Sequence, residues 1–278
     1  MPAAFWIMPM NNHSKEAIGV FDSGLGGLTV VKELIHHLPN ERIIYFGDTA
    51  RVPYGTKSAK TIIRYSREIV RVLLKHKVKM VVVACNTASS LALDVLKKEF
   101  DLPVLGVIEP GVRKALEVTR NKKIGIIATS STVKSGKYAK KILQLNKNIV
   151  VRAQACPLFV PLVEEGWFDH AVTYQVAQQY LKDMKKNKID TLILGCTHYP
   201  LLKGVLHNVM GANVQLVDSA REVALQVKGL LTKTRLLRTR LGPCRHVFIV
   251  SDEPRQFQRL AIRFLGGGVK NVRRHIYV

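Results

Sequence analysis

The chain has 278 residues, 47% apolar and 23% charged, which suffices for a substantial core and for two domains. Its formal net charge of +23 raises an anionic partner, yet the cations are spread over expected helical surfaces (Lys75, Lys77, Lys79; Lys182, Lys185, Lys186, Lys188). Four cysteines without a C-x-x-C pair do not make a secreted disulfide framework, and no run reaches the roughly 18 apolar residues of a membrane-spanning helix.

Residues 1–17 carry a short apolar patch, Ala3 to Met10, broken by Pro9. Without a basic flank or a long apolar core it makes a poor signal peptide, and it reads as a loosely held tail, with packing of Phe5 and Trp6 onto the body left open. Ala17 to Phe21 is a short strand running into D-S-G-L-G-G-L-T, Asp22 to Thr29, and then a helix from Leu28 to His37. Such a turn gathers free N–H groups at a helix start, a place for a carboxylate or phosphate, but neither nucleotide-binding glycine pattern is met. A strand at Arg42 to Phe46 leads into G-D-T-A-R-V-P-Y-G-T, which offers Tyr54 and Thr56 as hydroxyl donors. A helix from Ala59 to about Lys77 precedes the apolar run Met80 to Ala84, which stops at Cys85. A helix is expected from Ser90 to Glu99, and a strand from Pro103 to Ile108 ending in E-P-G.

The pattern then starts again. Lys123 to Ile127 is a strand ending in A-T-S-S-T, Ile149 to Cys156 another, and Leu162 to Trp167 contains Glu164 and Glu165. A helix from Val172 to Lys186 leads to T-L-I-L-G-C-T-H-Y-P, where a second apolar strand ends in Cys196. A helix at Leu201 to Met210 and a strand at Val214 to Val217 follow. Phe21 against Ile126, Cys85 against Cys196 and Leu105 against Gln215 give offsets of 105, 111 and 110 residues. Three elements in register predict an α/β fold: two similar open α/β domains related by pseudo-two-fold symmetry, with the active site in the cleft between them. The expected division is a tail at 1–17, a first domain of 18–107 plus 220–278, and a second of 108–219. The last stretch, from Ala220, adds a strand at His246 to Val250 and a helix at Gln256 to Phe264, too little for a domain of its own. Residues 221–278 hold 13 Lys and Arg against 3 acids without any nucleic-acid reading motif, so the charge reads mainly as solvated surface that attracts small anions.

A cysteine at the carboxyl end of a buried strand sits where open α/β sheets place their ligands. Two such thiols facing one another suit inversion of a stereocentre by proton transfer, which needs one base on each face of the substrate. Helix-start N–H groups favour a thiolate at each position. Asp22 is placed to order the proton on Cys85; His198 is placed to assist Cys196, with Glu164 as an orienting carboxylate, although the adjacent Glu165 competes for that role. The arrangement needs no cofactor, and no pyridoxal-type lysine or metal cluster is visible; only the C-x-H pair of Cys196 and His198 is local. Cys156 and Cys244 read as core.

The motifs D-S-G-L-G-G (Asp22 to Gly27), P-Y-G (Pro53 to Gly55), A-C-N-T-A (Ala84 to Ala88), A-T-S-S-T (Ala128 to Thr132) and G-C-T-H-Y-P (Gly195 to Pro200) together resemble the cofactor-independent aspartate/glutamate racemase family, in its glutamate racemase form, over about Ile18 to Phe264. The resemblance implies that Cys85 removes the α-proton of D-glutamate and Cys196 that of L-glutamate, assisted by Asp22, His198 and Glu164. It implies substrate contacts from Asp22, Ser23, Pro53, Tyr54, Gly55, Asn86, Thr87, Thr129, Thr132, Thr197 and His198. It further implies a cytoplasmic homodimer without cofactor that makes D-glutamate for peptidoglycan. An effect on DNA gyrase, known in some relatives, is not expected here, nor is a nucleic-acid partner. The alternatives are an aspartate racemase using the same thiols, a non-catalytic anion-binding α/β protein, and a basic nucleic-acid protein with salt-dependent binding.

Overall fold

The computed structural model describes residues 13–239, 244–267 and 269–277, so Phe5 and Trp6 lie outside the described residues. Among the described residues there are ten strands: β1 (Ala17–Asp22), β2 (Ile43–Gly47), β3 (Val78–Val83), β4 (Val104–Gly106), β5 (Lys123–Ala128), β6 (Val150–Ala155), β7 (Thr191–Gly195), β8 (Gln215–Val217), β9 (Val247–Val250) and β10 (Val272–Arg274). They form two sheets, ordered β10-β9-β2-β1-β3-β4 and β6-β5-β7-β8, with parallel pairing throughout. β1, β2, β3 and β7 are buried along their whole length. Parallel strands covered by helices on both faces need apolar residues at successive rather than alternate positions, which is why they read as runs such as Ile43–Phe46 and Val81–Val83. Edge strand β6 is largely exposed.

The repeat is a repeat of winding. The order β2-β1-β3-β4 reappears as β6-β5-β7-β8. The registers agree as well: Phe21 lies opposite Val83 and Asp22 opposite Gly47, as Ile127 lies opposite Leu194 and Ala128 opposite Ala155. In each sheet the first strand sends its crossover to one side and the third strand lies on the other, so a crevice opens above their carboxyl ends. Asp22 and Cys85 stand at one crevice, Thr129 and Cys196 at the other. β9 and β10 extend the first sheet alone, joined by the helix Pro254–Leu265, whose Phe257 stacks on Tyr45 with ring centroids 6.0 Å apart.

Several expectations are corrected. The helix after Cys85 begins at once and is broken at Ala92, giving Asn86–Leu91 and Leu93–Glu99. The strand expected to reach Ile108 stops at Gly106, where a side chain would meet Leu93 Cδ2 at 2.6 Å. Glu109, Pro110 and Gly111 instead lie in the first turn of helix Ile108–Val118, where proline's missing N–H leaves no bond unmade. Lys79 is no helical surface cation. It lies in β3 at 4% exposure, its Nζ 2.6 Å from Oε2 of Glu41, itself 1% exposed. Nζ also donates to the carbonyls of Ser14 and Leu236, and Glu41 Oε1 accepts the Arg238 N–H, so both buried charges are fully hydrogen-bonded. Burial pulls the Lys79 pKa down against the upward pull of Glu41. The contact to Ser14 also ties down the end of the expected loose tail. Cys156 is buried, but Cys244 is only half-buried and donates to the Asn40 carbonyl at 2.9 Å. Among the described residues no helix is long and apolar enough to cross a membrane.

Candidate active site

Asp22, the last residue of β1, is fully buried. Its carboxylate accepts the Gly24 N–H at 3.0 Å and the Thr197 hydroxyl at 3.3 Å, so a residue of the first sheet is bonded to one that follows β7. Burial raises its pKa, opposed by the charge of His198 and by the N–H groups of Gly24 and Gly27. Cys85 caps helix Asn86–Leu91: its sulfur accepts the Ala88 N–H at 3.5 Å, and its thiol donates to Ser23 Oγ at 3.8 Å. Desolvation, then the negative charge of Asp22, pushes this thiol up to about 12, and Cys196 is near enough to add to the effect.

Across the cleft, Cys196 follows β7, and its sulfur lies 3.9 Å from His198 Nδ1. His198 Nε2 lies 3.1 Å from Glu164 Oε1; Glu164 ends the short helix Phe159–Glu164 and remains 33% exposed. Burial works against a charged imidazole here, but the bonds to Cys196 and Glu164 outweigh it and raise His198 to about 10. Protonation of the imidazole beside the Cys196 sulfur is thereby favoured. The edge of Phe264 packs on the ring at a centroid distance of 5.7 Å, and Arg263 Nη1 donates to the Glu164 carbonyl.

The halves meet closely. A side chain at Gly26 would collide with Thr197 Oγ1 and come within 2.6 Å of His198 Nδ1, so the glycine turn after β1 requires no Cβ there. Thr87 Oγ1 lies 2.9 Å from Thr129 Oγ1 and 3.2 Å from Thr132 Oγ1, which are 2.9 Å from each other, closing a ring of three hydroxyls across the cleft. Asn86 Oδ1 accepts the Tyr138 hydroxyl at 2.6 Å, which turns its amide NH₂ away from the tyrosine. Gly55 packs its Cα on Thr129, and its carbonyl accepts from Ser131 Oγ at 2.8 Å. The cavity reaching Cys196 and Asn86 has a volume of about 10 Å³, room for a single water molecule, whereas a cavity of about 690 Å³ lies apart near Lys32 and His246.

The structure thus joins Asp22, Ser23, Cys85, Asn86, Thr87, Gly55, Thr129, Thr132, Glu164, Cys196, Thr197 and His198 through direct contacts or shared neighbours. Three expected residues fare differently. The Tyr54 hydroxyl is not offered to a ligand but donated to the Asp48 carboxylate, and the Thr56 hydroxyl turns back to the Pro53 carbonyl at 3.4 Å. Pro53 is exposed and lies outside the bonded cluster. Sequence reasoning missed Tyr138, Asp48 and Arg51. The last two stand in the G-D-T-A-R segment at the end of β2, where a polar strand end was itself the signal.

A sequence profile of the Asp/Glu/hydantoin racemase family matches residues 18–227. The chain belongs to this racemase family. It is 52% identical to the glutamate racemase of Geobacter metallireducens over 257 residues, 92% of this chain and 95% of that one. The crystal structure of glutamate racemase isoform RacE1 from Bacillus anthracis superposes with a TM-score of 0.91 at 40% identity, covering 95% of this chain and 98% of that one. Glutamate racemase from Francisella tularensis, solved in complex with D-glutamate, gives a TM-score of 0.89 at 38% identity, with 94% and 98% covered. Family membership extends across both sheets, so both crevices belong to the inherited unit.

Proposed function

We propose that this chain interconverts L- and D-glutamate by two-thiol proton transfer without a cofactor, and so supplies D-glutamate to peptidoglycan synthesis. The supporting observation is the pair of thiols at equivalent strand ends of two identically wound sheets, each with its own titratable partner. Cys85 removes the α-proton of D-glutamate while the Cys196 thiol delivers one to the opposite face; for L-glutamate the roles reverse. The site must act on a weakly acidic C–H. The desolvation that holds Cys85 near 12 makes its thiolate, once formed, a strong base, and the substrate's ammonium group brings the positive charge that favours forming it. Asp22 orders the Cys85 proton; His198, held by Glu164, supplies and recovers the Cys196 proton. Ser23, Asn86, Thr87, Thr129, Thr132, Thr197, His198 and the Pro53–Gly55 segment bind the carboxylates and the ammonium group, Tyr54 through its backbone. The chain acts as a cytoplasmic homodimer, with residues 18–107 and 220–278 as one domain and 108–219 as the other.

The experiment is α-proton exchange in deuterated water, followed by NMR on separate D- and L-isomers of glutamate and aspartate without added cofactor. Exchange with inversion confined to glutamate is expected. Exchange on aspartate instead transfers the assignment to the shorter diacid, and no exchange from a folded, reduced protein removes the two-thiol mechanism.

A further inference from the structure

Asp48 follows β2 and is fully buried, and four donors converge on its carboxylate. The Tyr54 hydroxyl and Arg51 Nε bond to Oδ2, the latter at 2.7 Å; Ser251 Oγ at 2.9 Å and the Tyr277 hydroxyl at 3.1 Å bond to Oδ1. Arg51 has the charge and the position of a substrate-carboxylate receptor, but its guanidinium is already engaged. It lies over the rings of Tyr65 and Tyr277, 3.9 and 3.8 Å from their centroids, and bonds to Glu68 and to the Tyr277 hydroxyl. Tyr277 reaches this place because β10 pairs with β9 and the His275 N–H donates to the Val250 carbonyl at 2.8 Å.

We infer that Tyr277 is a positioning residue for the substrate: through Asp48 and Arg51, the carboxyl-terminal segment fixes the Tyr54–Gly55 turn at the cleft. The path is short. Tyr277 and Tyr54 share one carboxylate, and the next residue, Gly55, packs on Thr129 of the hydroxyl ring. Tyr277 lies beyond residue 227, where the match to the family profile ends. The inference rests on the substrate reading above, since the turn matters to turnover only if it touches glutamate.

Tyr277→Phe keeps the ring over Arg51 and deletes the hydroxyl. KM for both isomers is expected to rise roughly three- to tenfold with kcat within about twofold, the scale of one hydrogen bond. Thermal unfolding should stay close to wild type, and Ile276→Ala, at a 68% exposed neighbour, should leave KM unchanged. Combining Tyr277→Phe with Tyr54→Phe should give less than the sum of the two effects, because both act on Asp48. Ser251→Ala, which removes the other donor to Oδ1, acts in the same direction and serves should Tyr277→Phe not fold. An active Tyr277→Phe enzyme with wild-type KM, a kcat that falls with stability at fixed KM, or fully additive effects each overturn the positioning role alone. A wild-type chain that moves neither isomer overturns the substrate reading itself, and the positioning role with it.

Discussion

Cys85 and Cys196 occupy equivalent places in two sheets wound in the same order, yet the groups around their sulfurs differ in charge. Cys85 has a buried carboxylate nearby, a serine hydroxyl at 3.8 Å and a helix-start N–H at 3.5 Å. Cys196 has an imidazole held by a glutamate, with protonation of that ring favoured. The backbone repeat therefore places the two thiols at equivalent strand ends, while the groups around them differ. A site for two mirror-image substrates does not need mirror-image surroundings, because the whole enzyme is chiral and the two isomers present different groups to each face.

The strongest way to break the comparison is to delete one thiol. Cys85→Ser and Cys196→Ser are each expected to lower inversion by roughly 10³-fold, within the range of a lost acid–base group. Cys85→Ser should still exchange the α-proton of L-glutamate for solvent deuterium without inverting it, and Cys196→Ser should do the same for the D-isomer, both read by NMR. Next come the partners: Asp22→Asn and His198→Asn should each lower kcat/KM by about 10²-fold. Because the enantiomers have equal free energy, kcat/KM must fall equally in both directions, so the asymmetry is sought elsewhere. His198→Asn should raise the primary isotope effect of α-deuterated L-glutamate more than that of the D-isomer, and Asp22→Asn the reverse.

Stability against pH sharpens the same contrast. His198 is raised from 6.5 to about 10, so between these values the folded chain holds a proton that the unfolded chain has released. Its contribution is whole below about pH 6.5 and is lost as pH rises toward 10, by at most about 1.4 kcal/mol per pH unit. The urea midpoints of wild type and His198→Gln should accordingly converge between pH 7 and pH 9.5. A gap that widens with pH reverses the sign and removes the imidazolium from the Cys196 side. The smallest effect is expected at Ser23→Ala, which takes one weak partner from Cys85 and should change kcat only a few-fold.

The parts of this molecule legible in sequence were those written locally. Asp22, Cys85 and Cys196 each end an apolar run, and the spacing of those runs disclosed two sheets wound alike. What stayed hidden depends on distant partners. Lys79 sits in a lysine-rich stretch and looks solvated; only the folded chain brings Glu41, Ser14 and Leu236 around it. Asp48 looked like a turn residue because its partners Ser251 and Tyr277 arrive from the far end of the chain. Gly106 at the end of β4 likewise depends on a distant partner, since Leu93 fills the space beside it. Tyr54 was legible as a hydroxyl donor, but nothing local showed that a carboxylate six residues earlier accepts its hydrogen bond.

The ring formed by Thr87, Thr129 and Thr132 has a further consequence. Three hydroxyls carry three protons, so the circle closes with every oxygen donating once and accepting once, in either of two senses of rotation. An arriving carboxylate has only lone pairs to offer, and it can be met by turning the O–H bonds outward while the oxygens stay where they are. Until then the three hydroxyls satisfy one another, and none of them is left without a hydrogen-bond partner.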